Sequence, residues 1–122
     1  MRVAGIGFRS VAPLASLAEA LAIAQNQAEG LPVDAIATAH AKAAAPAFVA
    51  LCAQLGVPLC AVDVAGVQTP THSPRVEDMF GAGSVAEAAA LVAAGPGARL
   101  IVGRVVSRDG MATAAIAEGT QQ

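Results

Sequence analysis

Residues 81–91, GAGSVAEAAAL, predict a helix start whose backbone N–H groups suit an acidic ligand. Ser84 and Glu87 lie three positions apart, which is the spacing of a capping box at the start of a helix. Gly81 and Gly83 precede the box, so little side-chain bulk surrounds the predicted helix start. A helix start offers N–H donors and a positive dipole end, which suit a carboxylate or a phosphate. The pattern is also typical of a tight turn before a packing helix, and the residues alone leave both interpretations open.

A second glycine-rich turn, GIGFRS at residues 5–10, follows the first apolar segment. Its place between a predicted strand and a predicted helix is that of a dinucleotide-binding fingerprint. However, Ser10 replaces the third glycine, and Thr38 and His40 stand where an acidic residue would bind the ribose. We therefore expect no nucleotide cofactor, and no other cofactor is indicated.

The elements that must position these residues follow from apolar periodicity and turn signals. Strands are predicted at residues 2–6, 33–38, 57–62, 100–106 and 111–117, and helices at 13–29, 46–55 and 85–94, with a short turn near 76–80. Pro13 and Pro46 are expected as first helical residues. The sequence SRDG at residues 107–110 predicts a hairpin, because Asp-Gly readily adopts positive φ.

Strands that alternate with helices predict an α/β fold. We expect one domain over residues 1–122: a three-layer α/β/α arrangement around a mixed, mostly parallel five-stranded sheet that ends in an antiparallel hairpin.

In such a sheet, ligands bind at the carboxyl ends of the strands, where polar loops gather. Arg9, Lys42 and Arg75 are three of seven basic residues, and all three are expected at that edge. Cations beside a helix start suit a ligand with several carboxylates, although each base taken singly is also typical of a solvated surface. The predicted binding residues are Gly5, Gly7, Arg9, Ser10, Thr38, Lys42, Ser73, Arg75, Gly81, Gly83, Ser84 and Glu87.

No catalytic residue can be named from the sequence. His40 and His72 show no metalloprotease spacing, and no GxSxG elbow is present. We predict no metal site, and Cys52 and Cys60, which lack C-x-x-C spacing, are expected as buried reduced thiols.

Composition excludes two classes of partner. The net charge of −2, the lack of a basic run and the absence of Trp and Tyr argue against nucleic-acid binding. Glu19 and Glu87 interrupt the apolar runs, so no membrane span is predicted. The N-terminus lacks the layout of a signal peptide, and we expect a cytoplasmic protein.

Several segments together resemble the cobalamin biosynthesis family CobE, which is similar to the C-terminal domain of CbiG. The resemblance lies in VAGIGFRS at 3–10, ATAHAK at 37–42, LGVPL at 55–59, SPRV at 73–76, GAGSVAEAAA at 81–90 and TAAIA at 113–117. Departures are Ala43-Ala44-Ala45, where the family often has a glutamate, and Arg104, where it often has lysine.

The resemblance implies a part in building the corrin ring from precorrins. A precorrin is a flat macrocycle fringed with acetate and propionate carboxylates, so it or a related corrinoid is the expected ligand. In the family, CbiG opens a lactone ring of a cobalt-precorrin. The two-domain members that do this carry a further N-terminal domain. Whether this chain is an enzyme therefore stays open. The alternative is a non-catalytic interaction module for other cobalamin-pathway enzymes that uses the alanine-rich helix faces.

Overall fold

The chain alternates strands and helices in the predicted order. The structure, a computed structural model, describes residues 1–70 and 84–119. Its strands are β1 (Arg2–Phe8), β2 (Ala35–Ala39), β3 (Leu59–Val62), β4 (Arg99–Val106) and β5 (Ala112–Glu118). Its helices are α1 (Leu14–Gln27), α2 (Pro46–Leu55) and α3 (Val85–Ala94), with a 3₁₀ turn at His40–Lys42. The turn predicted at 76–80 lies outside the described residues.

The prolines define several element boundaries. Pro46 is the first residue of α2, as predicted, because a helix start does not need its missing N–H. The prediction that Pro13 begins α1 is wrong by one residue: its ψ of 160° is extended, and the helix starts at Leu14. The strand β3 begins after Pro58 rather than at residue 57, because Pro58 has no N–H for a strand ladder.

The five strands lie in the order β3-β2-β1-β5-β4. β2 pairs in parallel with both β1 and β3, whereas β5 is antiparallel to both β1 and β4. Four strands therefore share one direction and β5 alone opposes them. The expected mixed, mostly parallel sheet with a terminal hairpin is confirmed.

Two apolar clusters lie on opposite faces of this sheet and confirm the three layers. On one face, Leu17 of α1 and Phe48 of α2 pack against Ile6. On the other face, Ala88 of α3 packs against Val3 and its neighbours on β2. Since alanine buries little area, the α3 layer depends on close approach of the helix backbone to the strands.

Gly5 and Gly7 make that approach possible. A Cβ built on Gly5 would lie 1.9 Å from the carbonyl oxygen of Ala86. A Cβ built on Gly7 would lie 2.6 Å from Thr113 Oγ1 and 3.4 Å from Val85 Cβ. The space that these glycines leave is therefore filled by α3 and Thr113. Both glycines, predicted as ligand-binding residues in a turn, therefore lie within β1 and make room for α3, whose start lies against the end of β1.

Candidate functional site

The loops at the carboxyl ends of the parallel strands meet at one edge of the sheet, which we call the carboxyl rim. Its described members are Arg9, Ser10, Lys42, Ser84 and the hairpin tip at residues 107–111. Direct contacts join these loops. Lys42 Nζ lies 3.1 Å from Ser10 Oγ, and the Arg9 N–H donates to Met111 O over 2.9 Å. The rim therefore brings together the loops that follow β1, β2 and β4 with the start of α3.

Lys42 reaches the rim across an aromatic surface. Its Nζ lies 5.0 Å from the centre of the Phe8 ring, which stacks on Phe48 at a centroid distance of 6.1 Å and an interplanar angle of 12°. A cation above a ring face at this distance gains about 0.5–1 kcal/mol where the site is exposed. The two phenyl rings and Ser10 therefore hold the ammonium group at the rim, beside the end of β1.

Arg9 is the first residue beyond β1, and its side chain is exposed. Its backbone is fixed on both sides, since its N–H donates to Met111 O and its carbonyl accepts from the Ala12 N–H at 3.0 Å. A guanidinium on an anchored backbone can donate two parallel hydrogen bonds to one carboxylate. The role of Arg9 in binding a carboxylate stays a prediction.

Arg108 is a rim cation that the sequence analysis missed. It lies at the hairpin tip, its side chain is 92% exposed, and its Nε is 3.6 Å from Glu19 Oε2. The sequence analysis did predict the hairpin SRDG, which contains Arg108. However, only the insertion of β5 between β1 and β4 brings that turn to the end of β1.

Ser84 forms the predicted cap of α3. Its Oγ accepts from the Glu87 N–H over 3.3 Å, and the residue is 2% exposed. Its hydroxyl is therefore engaged within the helix start. What Ser84 can offer a ligand is the helix end itself, next to Gly7 at the rim.

Glu87 lies in the interior rather than at the surface. The residue has no exposed area, and Oε2 accepts from the Arg104 N–H over 2.9 Å, where the register of β4 against β5 shifts. A side-chain acceptor of this kind satisfies a strand N–H that the irregular pairing releases. The structure therefore gives Glu87 the task of joining α3 to β4.

Thr38 is also interior. It has no exposed area, and its Oγ1 donates to the carbonyl oxygen of Ile6 over 2.6 Å. This bond ties β2 to β1 below the rim. We therefore assign Thr38 to the support of the sheet and do not carry it into the binding proposal.

The remaining predicted residues divide into those outside and those inside the described parts of the chain. Ser73, Arg75, Gly81, Gly83 and His72 lie outside them. His40 is exposed at the start of the 3₁₀ turn. Cys52 and Cys60 are free thiols; Cys52 is buried as predicted, but the prediction that Cys60 is buried is wrong, since it is only half-buried. Burial, and then the nearby Cys60, raises the pKa of Cys52. Cys52 lies on α2 and belongs to the apolar cluster that contains Leu17 and Ile6, whereas Cys60 packs against the cluster on the α3 face of the sheet.

The described rim offers hydrogen-bond donors and positive charge rather than a catalytic constellation. Within residues 1–70 and 84–119, no three His, Cys, Asp or Glu side chains converge in a way that could hold a metal ion. In the same ranges, no helix combines the length and apolar character needed to cross a membrane. Arg9 and Lys42 are groups that could donate hydrogen bonds to an anionic ligand.

Comparison with known proteins agrees with the resemblance seen in the sequence. The profile of a family described as "Cobalamin synthesis G C-terminus" matches residues 2–117. The structure is similar to that of CobE, a protein from the cobalamin (vitamin B12) biosynthetic pathway, with a TM-score of 0.84 and 26% identity over 100% of this chain and 92% of that chain. A comparison with curated proteins finds no match.

A second solved structure extends this agreement. The cobalamin biosynthesis protein chiG from Agrobacterium tumefaciens str. C58 gives a TM-score of 0.74 and 34% identity, over 99% of this chain and 100% of that chain. Both likenesses cover nearly the whole fold, including the strands and loops that build the carboxyl rim. The chain belongs to the CbiG C-terminal family of cobalamin biosynthesis proteins.

Proposed function

We propose that this protein binds a precorrin or a related corrinoid acid at the carboxyl rim, as its part in cobalamin biosynthesis. The observation that supports this most is the meeting of two loops: Lys42 Nζ lies 3.1 Å from Ser10 Oγ, next to the exposed Arg9. Two cations from separate loops would each engage a different carboxylate of one macrocycle. A ligand with carboxylates around its edge suits such a spread of donors better than a ligand with one acidic group.

Among residues 1–70 and 84–119, the cations at the two edges of the sheet differ in their surroundings. At the amino ends of the strands, Arg2 Nε lies 3.2 Å and Arg99 Nη2 3.5 Å from the Glu118 carboxylate. Those two cations share one carboxylate of the protein. At the rim, Arg108 is paired with Glu19, whereas Arg9 is exposed beside Ser10 and Lys42. We therefore expect Arg9 and Lys42 to attract an anionic ligand, and the attraction to weaken as salt is added.

The proposal concerns binding and assigns no catalytic residue. Thr38 and Glu87 are buried and are not proposed as ligand contacts. Among the described residues, the proposed contacts are backbone groups of the rim, Ser10 and the cations. We also propose that this binding takes place in the cytoplasm.

A titration with hydrogenobyrinic acid tests the proposal. Its visible absorption reports a change in environment, and gel filtration reports retention by the protein. The variants Arg9→Gln and Lys42→Met should each weaken binding about fivefold, or about 1 kcal/mol, as for the loss of one exposed charge contact. The control Arg99→Gln removes a cation from the opposite edge and should leave the affinity unchanged. Equal losses in all three variants, or no binding by the natural protein, would refute the proposal.

As the alternative, we propose that the protein is a non-catalytic module that binds other enzymes of the pathway. The alanine face of α3 is not its surface, because residues 85–90 are buried. Instead, α2 and β3 expose Val49 (45%), Leu55 (43%) and Leu59 (38%) in a stretch without charged residues. The substitution Val49→Asp should abolish binding to a purified enzyme of the pathway and spare the corrinoid titration. Unchanged enzyme binding would exclude this face.

A further inference from the structure

The hairpin tip, residues 107–111, is organised around the carboxylate of Asp109. Oδ1 accepts from Ser107 Oγ over 2.6 Å and from the Met111 N–H over 3.0 Å. Oδ2 accepts from Ser16 Oγ, which belongs to the first turn of α1. One side chain therefore shapes the turn and also joins it to a helix nearly a hundred residues earlier in the sequence.

A second link between the tip and α1 lies beside the first. The Arg108 N–H donates to Glu19 Oε1 over 2.7 Å, and Arg108 Nε lies 3.6 Å from Glu19 Oε2. Ser16 is 5% exposed, so its bond to Asp109 is partly shielded from water. Together these contacts dock the tip on the first two turns of α1.

The same tip also holds the end of β1, through the bond from the Arg9 N–H to Met111 O at 2.9 Å. The loop at residues 9–12 carries Arg9 and Ser10. The tip contacts the start of this loop through Met111, and it contacts α1, which follows the loop, through Asp109. Ser10 in turn accepts from Lys42 at 3.1 Å. Fixing the tip therefore fixes the cationic part of the rim.

We propose that Asp109 is a positioning residue of the carboxyl rim: through Ser16 and Met111 it clamps both ends of the loop that presents Arg9 and Ser10. Its effect on a ligand rests on the proposed function, whereas its effect on the loop does not. The expected consequence is that loosening this clamp weakens ligand binding through Arg9, without any contact between Asp109 and the ligand.

Two variants loosen the clamp in different ways. Asp109→Ala removes every bond of the carboxylate, whereas Ser16→Ala cuts only the bond between Asp109 and α1 and keeps both the bonds within the turn and the link from Arg108 to Glu19. The control Asp34→Ala removes a carboxylate that accepts from the Arg2 N–H over 2.8 Å at the opposite edge. If Asp109→Ala does not fold, Ser16→Ala and the control decide the question.

Hydrogen exchange of the Arg9 amide is the readout that needs no ligand. Ser16→Ala and Asp109→Ala should accelerate it relative to amides of β2, and Asp34→Ala should not. Unchanged Arg9 exchange in both clamp variants would overturn the proposal, whether or not the protein binds a corrinoid. Failure of the natural protein to bind hydrogenobyrinic acid would instead refute the proposed function alone.

Affinity and thermal stability separate positioning from a general structural role. In the natural background, Ser16→Ala should weaken hydrogenobyrinic acid binding about threefold to fivefold, no more than the loss expected for Arg9→Gln itself. In an Arg9→Gln background it should have no further effect on affinity, while it lowers the melting temperature equally in both backgrounds. Additive losses of affinity in the two backgrounds would overturn the proposal.

Discussion

Two glycines determine how closely α3 approaches the sheet. Gly5 and Gly7 stand in the first strand, and the backbone and Val85 side chain of α3 occupy the space that larger residues would need. The residues of α3 nearest to Gly5 are Ala86 and Ala90, so little side-chain volume separates the helix from the sheet. Glycines that look like a ligand loop in the sequence thus serve the packing that brings Ser84 to the rim.

Replacement of Gly5 by alanine should destabilise the protein by about 3 kcal/mol, at the upper end of typical overpacking costs. The added Cβ would lie 1.9 Å from a backbone oxygen, which no side-chain rotation can relieve. Urea unfolding measures the change. Gly103→Ala is the control: its Cβ would meet Glu87 Oε2 at 3.5 Å, an ordinary contact, and should cost less than about 1 kcal/mol. Similar losses in the two variants would contradict this account of the packing.

The hairpin of β4 and β5 links several described parts of the molecule to the rim. Its strands complete the sheet beside β1, its tip docks on α1, and the Arg104 N–H on β4 donates to the Glu87 carboxyl group of α3. The turn residues Asp109 and Gly110 fit this task, since Gly110 has a φ of +74°. The hairpin therefore connects both helical layers to the edge where the ligand is proposed to bind.

Acid should weaken this hairpin selectively. Hydrogen bonds from Ser107, Ser16 and the Met111 N–H lower the pKa of Asp109 from 3.8 to about 2. The folded pKa lies below the unfolded value, so the contribution is fully present above about pH 4 and is lost as the pH falls towards 2. The difference in unfolding free energy between the natural protein and Asp109→Asn should therefore shrink over that range.

Urea unfolding at several pH values between about 5 and 2 measures that difference. The control Glu29→Gln changes an exposed carboxyl outside the hairpin and should give the same curve as the natural protein. A difference between the natural protein and Asp109→Asn that stays constant across the range would show that the bonds to the Asp109 carboxylate do not contribute as described.

For the molecule as a whole, local signals predicted the elements but not the contacts between them. Periodicity, Pro46 and the Asp-Gly turn were enough for the order of helices and strands, because each acts within a few residues. The burial of Thr38 and the approach of α3 to Gly5 could not be foreseen, since both depend on residues more than thirty positions away. The place of Arg108 at the rim depends on β5 lying between β1 and β4, which no local pattern encodes.

The rim itself was predicted in part. The topological rule placed Arg9, Ser10 and Lys42 at one edge, and the bond between Lys42 and Ser10 brings them together. The capping pattern placed Ser84 at a helix start, which the bond from the Glu87 N–H confirms. Whether these residues bind a corrinoid stays a prediction, since no local rule and no contact within the protein decides it.

Amide chemical shifts of the labelled protein during a hydrogenobyrinic acid titration test the central claim most directly. Shifts should move at Arg9, Ser10, Ala43 and the hairpin tip at residues 107–111, in proportion to saturation. Amides at the opposite edge, such as those of Asp34 and Arg99, should stay in place. Perturbations centred on that opposite edge, or none at saturating ligand, would contradict the assignment of the carboxyl rim as the corrinoid site.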